Sequence, residues 1–61
     1  MKTIHHRGVQ FVYAWDAEEK MFVGKTIPGD IEVEGTNEYL VGVGARRAID
    51  EYLEKKNGNN S

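Results

Sequence analysis

The sequence predicts an α+β fold, a three-stranded antiparallel sheet followed by one packed C-terminal helix in the order βββα. Three observations predict it. Apolar residues recur at helical spacing only between Asn37 and Lys56. The chain before Asn37 alternates apolar and polar residues in short runs, as half-buried strands do. Turn-forming residues separate those runs, most plainly Pro28-Gly29-Asp30 and Gly35-Thr36-Asn37. Sixty-one residues allow one domain, expected over residues 1–56 with a flexible tail over 57–61. A chain of this size buries only about 60% of the surface its unfolded form exposes. A partner or a second copy covering part of the remainder is therefore expected.

From Lys2 to Asp16 the pattern is that of a strand. Val9, Phe11, Tyr13 and Trp15 point one way, and Gln10, Val12, Ala14 and Asp16 the other. The aromatic face reads as core or as a dimer seam; three such rings could also stack on the bases of single-stranded nucleic acid. Gly8 marks either a bulge or the true start of the strand, with Ile4, His5 and His6 as an extended lead-in. Asp16 to Lys20 lacks an Asn-Gly or Asp-Gly pair, so a hairpin loop longer than two residues is expected there. Met21 to Ile27 forms the second strand. In the third, Ile31 and Val33 alternate with Asp30, Glu32 and Glu34.

Asn37 is the expected N-cap of the helix, because its side-chain oxygen can accept from the free N–H groups of the first turn, and Glu38 suits the positive helix end. Val41, Ala45, Ala48, Ile49 and Tyr52, with Leu53 beside Ile49, form one apolar stripe. Arg46–Asp50, Arg47–Glu51 and Glu51–Lys55 have the spacing of helical ion pairs, each worth about 0.2–0.5 kcal/mol. Gly42 and Gly44 each disfavour a helix by up to about 1 kcal/mol against alanine. Either they let the helix approach the sheet closely, the preferred reading, or the helix begins near Ala45. Asn57-Gly58 suits a left-handed helix end.

Composition narrows the class. No cysteine is present, so neither a disulfide nor a Cys/His zinc site supports the fold. The N-terminal MKTIHHRG has no apolar run, and no segment approaches the roughly 18 apolar residues of a membrane span. A cytoplasmic location away from membranes is expected. Ten acidic against eight basic residues give a net charge of −2, which argues mildly against a generic nucleic-acid binder.

Candidate chemistry is sparse. His5 and His6 are adjacent, and adjacent strand residues face opposite ways, so they do not readily share a metal. Asp30, Glu32 and Glu34 are expected on one strand face about 7 Å apart, too linear for a two-metal nuclease site. Such a ladder is a solvated face or, with or without Asp16, Glu18 and Glu19 nearby, an acidic surface for a basic partner. The glycines form no phosphate loop, and no hydroxyl is tied to a histidine by the sequence. Neither catalytic, cofactor-binding nor metal-binding residues are expected.

With these elements in hand, the chain resembles the small domain of HicB-family antitoxins. Tyr13-Ala14-Trp15-Asp16-Ala17-Glu18-Glu19 resembles the family's first strand and its acidic turn, and Phe22-Val23-Gly24-Lys25 its second strand. Glu34-Gly35 followed by Thr36-Asn37-Glu38 is similar to the start of the family helix, and Ala48-Ile49-Asp50-Glu51-Tyr52-Leu53 to its end. The resemblance covers roughly Val9 to Glu54. It implies a partly degraded ribonuclease-H-like core without enzyme activity, which binds and masks HicA, a small basic RNA-cleaving toxin. The sequence ends at Ser61 without the DNA-binding segment of complete antitoxins, so the expectation covers partner binding rather than operator binding. The residues expected to contact a partner are Asp30, Glu32, Glu34, Asp16, Glu18, Arg46 and Arg47, and a homodimer is a further expectation. The alternative is a nucleic-acid-binding module similar in outline to the arm-binding domains of phage integrases, with Lys20, Lys25, Arg46 and Arg47 on phosphates. A metal-dependent nuclease using Asp16, Asp30 and Glu32 ranks third.

Overall fold

In a computed structural model, which describes residues 1–57, four strands precede one helix. They are β1 (Lys2–His6), β2 (Val9–Asp16), β3 (Met21–Ile27) and β4 (Glu32–Gly35), followed by α1 (Glu38–Asn57). The α+β class and the C-terminal helix agree with the sequence reading, but the sheet has four strands rather than three. The residues 58–61 of the expected tail lie outside the described residues.

The extra strand arises at Arg7-Gly8. Both residues have positive φ, 53° and 83°, and they link His6 to Val9, which pair directly across the ladder. Two consecutive left-handed residues make the tight turn whose twist matches a hairpin. The expected lead-in therefore folds back as a strand of its own. Glycine adopts such a φ without steric penalty, and the cost falls on Arg7.

All neighbours are antiparallel, in the order β1-β2-β3-β4, so β1 and β4 are the edges. The register fixes two faces. Lys2, Ile4 and His6 share a face with Val9, Phe11, Tyr13 and Trp15, with Phe22, Gly24 and Thr26, and with Val33 and Gly35. Helix α1 covers this face. Val9, Phe11 and Tyr13 from the sheet meet Val41, Ala45 and Ile49 from the helix in one core, with Ile4, Phe22, Val33, Tyr52 and Leu53 packed at its margin. Phe11 is wholly buried, which contributes about 1.5–3 kcal/mol by transfer alone. Its ring stacks on Tyr13 at 5.7 Å between centroids. Two of the three aromatic residues in the β2 row are thus core; Trp15, at the far end, is half exposed and packs edge-on against Phe22 at 5.1 Å.

The helix begins where the cap predicts. The Leu40 N–H donates to Asn37 Oδ1 at 2.8 Å, and the Val41 N–H to the Asn37 carbonyl at 3.1 Å. Gly35 allows the chain to enter the helix at close range, since a Cβ there would lie 2.9 Å from Val41 Cα. The two helical glycines differ. A Cβ on Gly44 would lie 2.8 Å from Val33 Cγ1, so Gly44 does bring α1 close to β4. A Cβ on Gly42 would meet only the end of Arg46 at 3.2 Å and Ile4 Cδ1 at 3.8 Å. Close approach explains Gly44 and leaves Gly42 without a packing reason.

Between β3 and β4 the chain is fastened through buried Thr26. Its N–H donates to the Ile31 carbonyl at 3.1 Å, its carbonyl accepts from the Asp30 N–H at 2.9 Å, and its hydroxyl accepts from the Ile31 N–H at 3.0 Å. Asp30 has φ 56° and lies before β4. It is therefore a turn residue, not the first rung of the expected acidic ladder.

Candidate functional site

The face of the sheet opposite α1 carries Thr3 and His5, Gln10, Val12, Ala14 and Asp16, Met21, Val23, Lys25 and Ile27, and Glu32 and Glu34. No element among the described residues covers it. Across this face the rows run Thr3, Val12, Lys25, Glu32 and then Ala14, Val23, Glu34. The centre is apolar at Val12, Ala14 and Val23, with Lys25 set between Val12 and Glu32, and the β4 margin is acidic. Val12 and Val23 are half-buried by their neighbours, and Ile27 is exposed by 54%.

The seven residues expected to contact a partner do not converge. Glu32 and Glu34 share the open face, one pleat apart, and both are exposed. Asp30 stands in the adjoining turn with its carboxylate 3.7 Å from Lys25 Nζ, a wide and exposed pair. Asp16 is committed to the β2–β3 turn: its Oδ1 accepts from the Glu18 N–H at 3.0 Å and the Glu19 N–H at 3.2 Å. A side chain holding two turn amides is poorly placed to bind anything else. Glu18 is exposed in that same turn, at the other end of the sheet from Asp30. Arg46 and Arg47 are exposed on α1, away from the open face. Of the expected set, only Glu32 and Glu34, with Asp30 beside them, form a surface.

None of the three expected helical ion pairs forms among the described residues, and Asp50 is engaged from the sheet instead. Asp50 Oδ1 takes Arg7 Nη1 at 2.9 Å and His6 Nε2 at 3.0 Å, both from the β1–β2 hairpin. The tight turn delivers Arg7 to the carboxylate that Arg46 was expected to engage. Hydrogen bonds from Arg7 first, and from His6, hold the Asp50 carboxyl below its ordinary value, against a smaller opposing effect of desolvation. At the other end of α1, Lys2 Nζ meets Glu38 Oε2 at 2.7 Å. That hydrogen bond and the Glu38 charge raise the Lys2 ammonium pKa. His5 and His6 do face opposite ways: His6 toward the helix, His5 onto the open face.

Two features escaped the sequence reading. The Arg7–Asp50 tie was hidden because Arg-Gly is an uncommon two-residue turn; the signal was a glycine with alternating residues on both sides. The open apolar centre was hidden behind the aromatic face of β2, although Val12 and Ala14 mark its second face as apolar too. A shallow groove also runs along the C-terminal half of the helix beside the start of β4, lined by Ile31, Ala48, Glu51, Tyr52 and Lys55.

Among the described residues no group of three His, Asp or Glu side chains is close enough to hold a metal ion. No helix among them is long and apolar enough to cross a membrane. Lys20, Lys25, Arg46 and Arg47 are divided among a turn, the open face and the helix, so they do not make one basic track. Compared with known proteins, the chain matches no family model, no curated protein and no solved structure.

Proposed function

We propose that this chain is a non-enzymatic protein-binding domain of the HicB antitoxin kind, which binds a small basic RNA-cleaving toxin in the cytoplasm and masks it. The observation that carries this reading is the open sheet face, apolar at Val12, Ala14 and Val23 and acidic along Glu32 and Glu34. An apolar centre with a charged margin suits a protein partner, and an acidic margin suits a basic one. The complex is 1:1, or 2:2 if the chain pairs with itself. Glu32 stands opposite Lys25 and Glu34 opposite Val23, and the two carboxylates weigh against a polyanion on this face.

The test is RNA cleavage by a purified HicA-type toxin with increasing amounts of the chain at low salt. Cleavage is expected to stop near stoichiometric ratio, and to resume with the Glu32→Lys/Glu34→Lys variant or at high salt. Undiminished cleavage at saturating chain, together with tight duplex binding that falls steeply with salt, would sink the reading in favour of a nucleic-acid module.

A further inference from the structure

The order of strands leaves the outer side of β4 without a neighbour among the described residues. Which of its backbone groups are free follows from one hydrogen bond. Thr26 N–H donates to the Ile31 carbonyl, so Thr26 and Ile31 form a bonded pair, and bonded pairs recur at every second residue of an antiparallel ladder. Gly24–Val33 and Phe22–Gly35 are the next two. Glu32 and Glu34 therefore direct their N–H and C=O groups outward, away from β3.

We propose that this edge is a docking site for an extended segment of a partner protein in which basic and apolar residues alternate, and which adds a fifth strand beside β4. The inference rests on the reading of the domain as a binder of a basic protein, and specifies how that protein is held. Alternate side chains of an added strand fall on opposite faces of the sheet. On the open face they stand beside Glu32 and Glu34, where lysine or arginine is complementary. On the helix face they run past Ile31 and Val33 along the groove made with Ala48 and Tyr52, where apolar residues are complementary. Glu51 and Lys55 also line that groove and together leave no net charge there.

A second copy of this chain does not fit the same edge. Antiparallel pairing of β4 with itself sets Glu32 and Glu34 against the copy's own two glutamates, and like charges directly opposite are destabilising. The acids that favour a basic strand thus also keep the edge from self-association.

The probe is a synthetic eight-residue peptide alternating lysine and valine, titrated at low salt into the full chain labelled with nitrogen-15. Binding is expected to slow hydrogen exchange of the Glu32 and Glu34 amides about tenfold or more, and to shift the signals of Ile31 and Ala48. N-methylation of the peptide amides that face β4 abolishes binding, whereas N-methylation in the other register does not. Replacing both exposed glutamates, Glu32→Gln/Glu34→Gln, weakens binding by about two- to thirtyfold. The proposal is overturned if a block peptide of the same composition binds equally well, if protection appears on β1 instead, or if no binding occurs. The toxin assay separates this inference from the reading beneath it. Masking of the toxin without protection of the Glu32 and Glu34 amides defeats the edge alone; protection by the peptide without any masking defeats the antitoxin reading alone.

Discussion

The same substitution made two residues apart in α1 is expected to act in opposite directions. Replacing Gly42 by alanine removes a helix-disfavouring residue worth about 0.8–1.0 kcal/mol. The new methyl meets nothing stiff: Ile4 Cδ1 lies at an ordinary 3.8 Å, and the Arg46 guanidinium, 3.2 Å away, is the free end of a long side chain. Gly42→Ala should therefore raise stability by about 1 kcal/mol, or some 4–8 °C in Tm for a domain of this size. Gly44→Ala gains the same propensity but places its methyl 2.8 Å from Val33 Cγ1. Val33 is β-branched and confined to few rotamers, so β4 or the helix must move. Overpacking of this kind costs about 1–3 kcal/mol, and the net change runs from about zero to a loss of 2 kcal/mol. Thermal and urea unfolding followed by circular dichroism measure both variants, with coincident transitions checking two-state behaviour. In a double-mutant cycle, Val33→Ala should relieve much of the Gly44→Ala penalty, because the two groups touch. Equal stabilisation by Gly42→Ala and Gly44→Ala would refute the close approach of α1 to β4.

Other perturbations probe the remaining ties. Asn37→Ala removes the acceptor of the Leu40 N–H and should lower stability by about 1 kcal/mol in urea unfolding, with Asn37→Ser retaining most of it. The Asp50 carboxyl is depressed in the folded state by Arg7 and His6, so its contribution is present above its unfolded value of 3.8 and is lost as pH falls through the folded value. The urea midpoint of the wild type should accordingly fall more steeply with acid than that of Asp50→Asn, and parallel profiles would remove Asp50 from the account. Lys2, raised by Glu38, behaves in the opposite sense: its contribution is full below 10.5 and disappears as pH rises through the folded value, a loss that Lys2→Met should abolish. Arg7→Asn relaxes a left-handed residue in the β1–β2 turn but gives up the tie to Asp50. In the Asp50→Asn background only the turn effect remains, and there it should raise the thermal midpoint.

How much of this was legible in the sequence depended on whether a feature was local. The helix was legible because cap and stripe lie within one stretch and agree, as Asn37 and the Val41 to Tyr52 stripe show; the expected left-handed end at Asn57-Gly58 reaches outside the described residues. The core face of β2 was legible from alternation alone. The acidic ladder was only partly so: Glu32 and Glu34 alternate on one face, but the alternation cannot show that Asp30 turns to φ 56° to let Thr26 bind Ile31. The pairing of Asp50 was not legible at all, because the partner spacing along α1 favoured Arg46 and only the tertiary return of β1 brings Arg7 within reach. Alternation likewise marked the Lys2–His6 stretch as extended without showing that it pairs with Val9–Tyr13.

The two edges of the sheet are managed differently, and the difference bears on function. At β1, both ends are tied across to α1, through Lys2–Glu38 and through the His6 and Arg7 contacts with Asp50. A strand held this way presents an edge whose helix side is already occupied by the domain's own ion pairs. At β4 the helix comes close at Gly44 and then leaves a groove beyond it, while the open side carries only Glu32 and Glu34. An unpaired edge is a liability for a small sheet unless it is blunted. Here the charge on Glu32 and Glu34 is of one sign, which disfavours a second acidic edge and, on the docking proposal, favours a basic one. On the docking proposal, the same placement keeps the β4 edge, which has no neighbour among the described residues, from pairing with a second acidic edge and leaves it available to a basic strand.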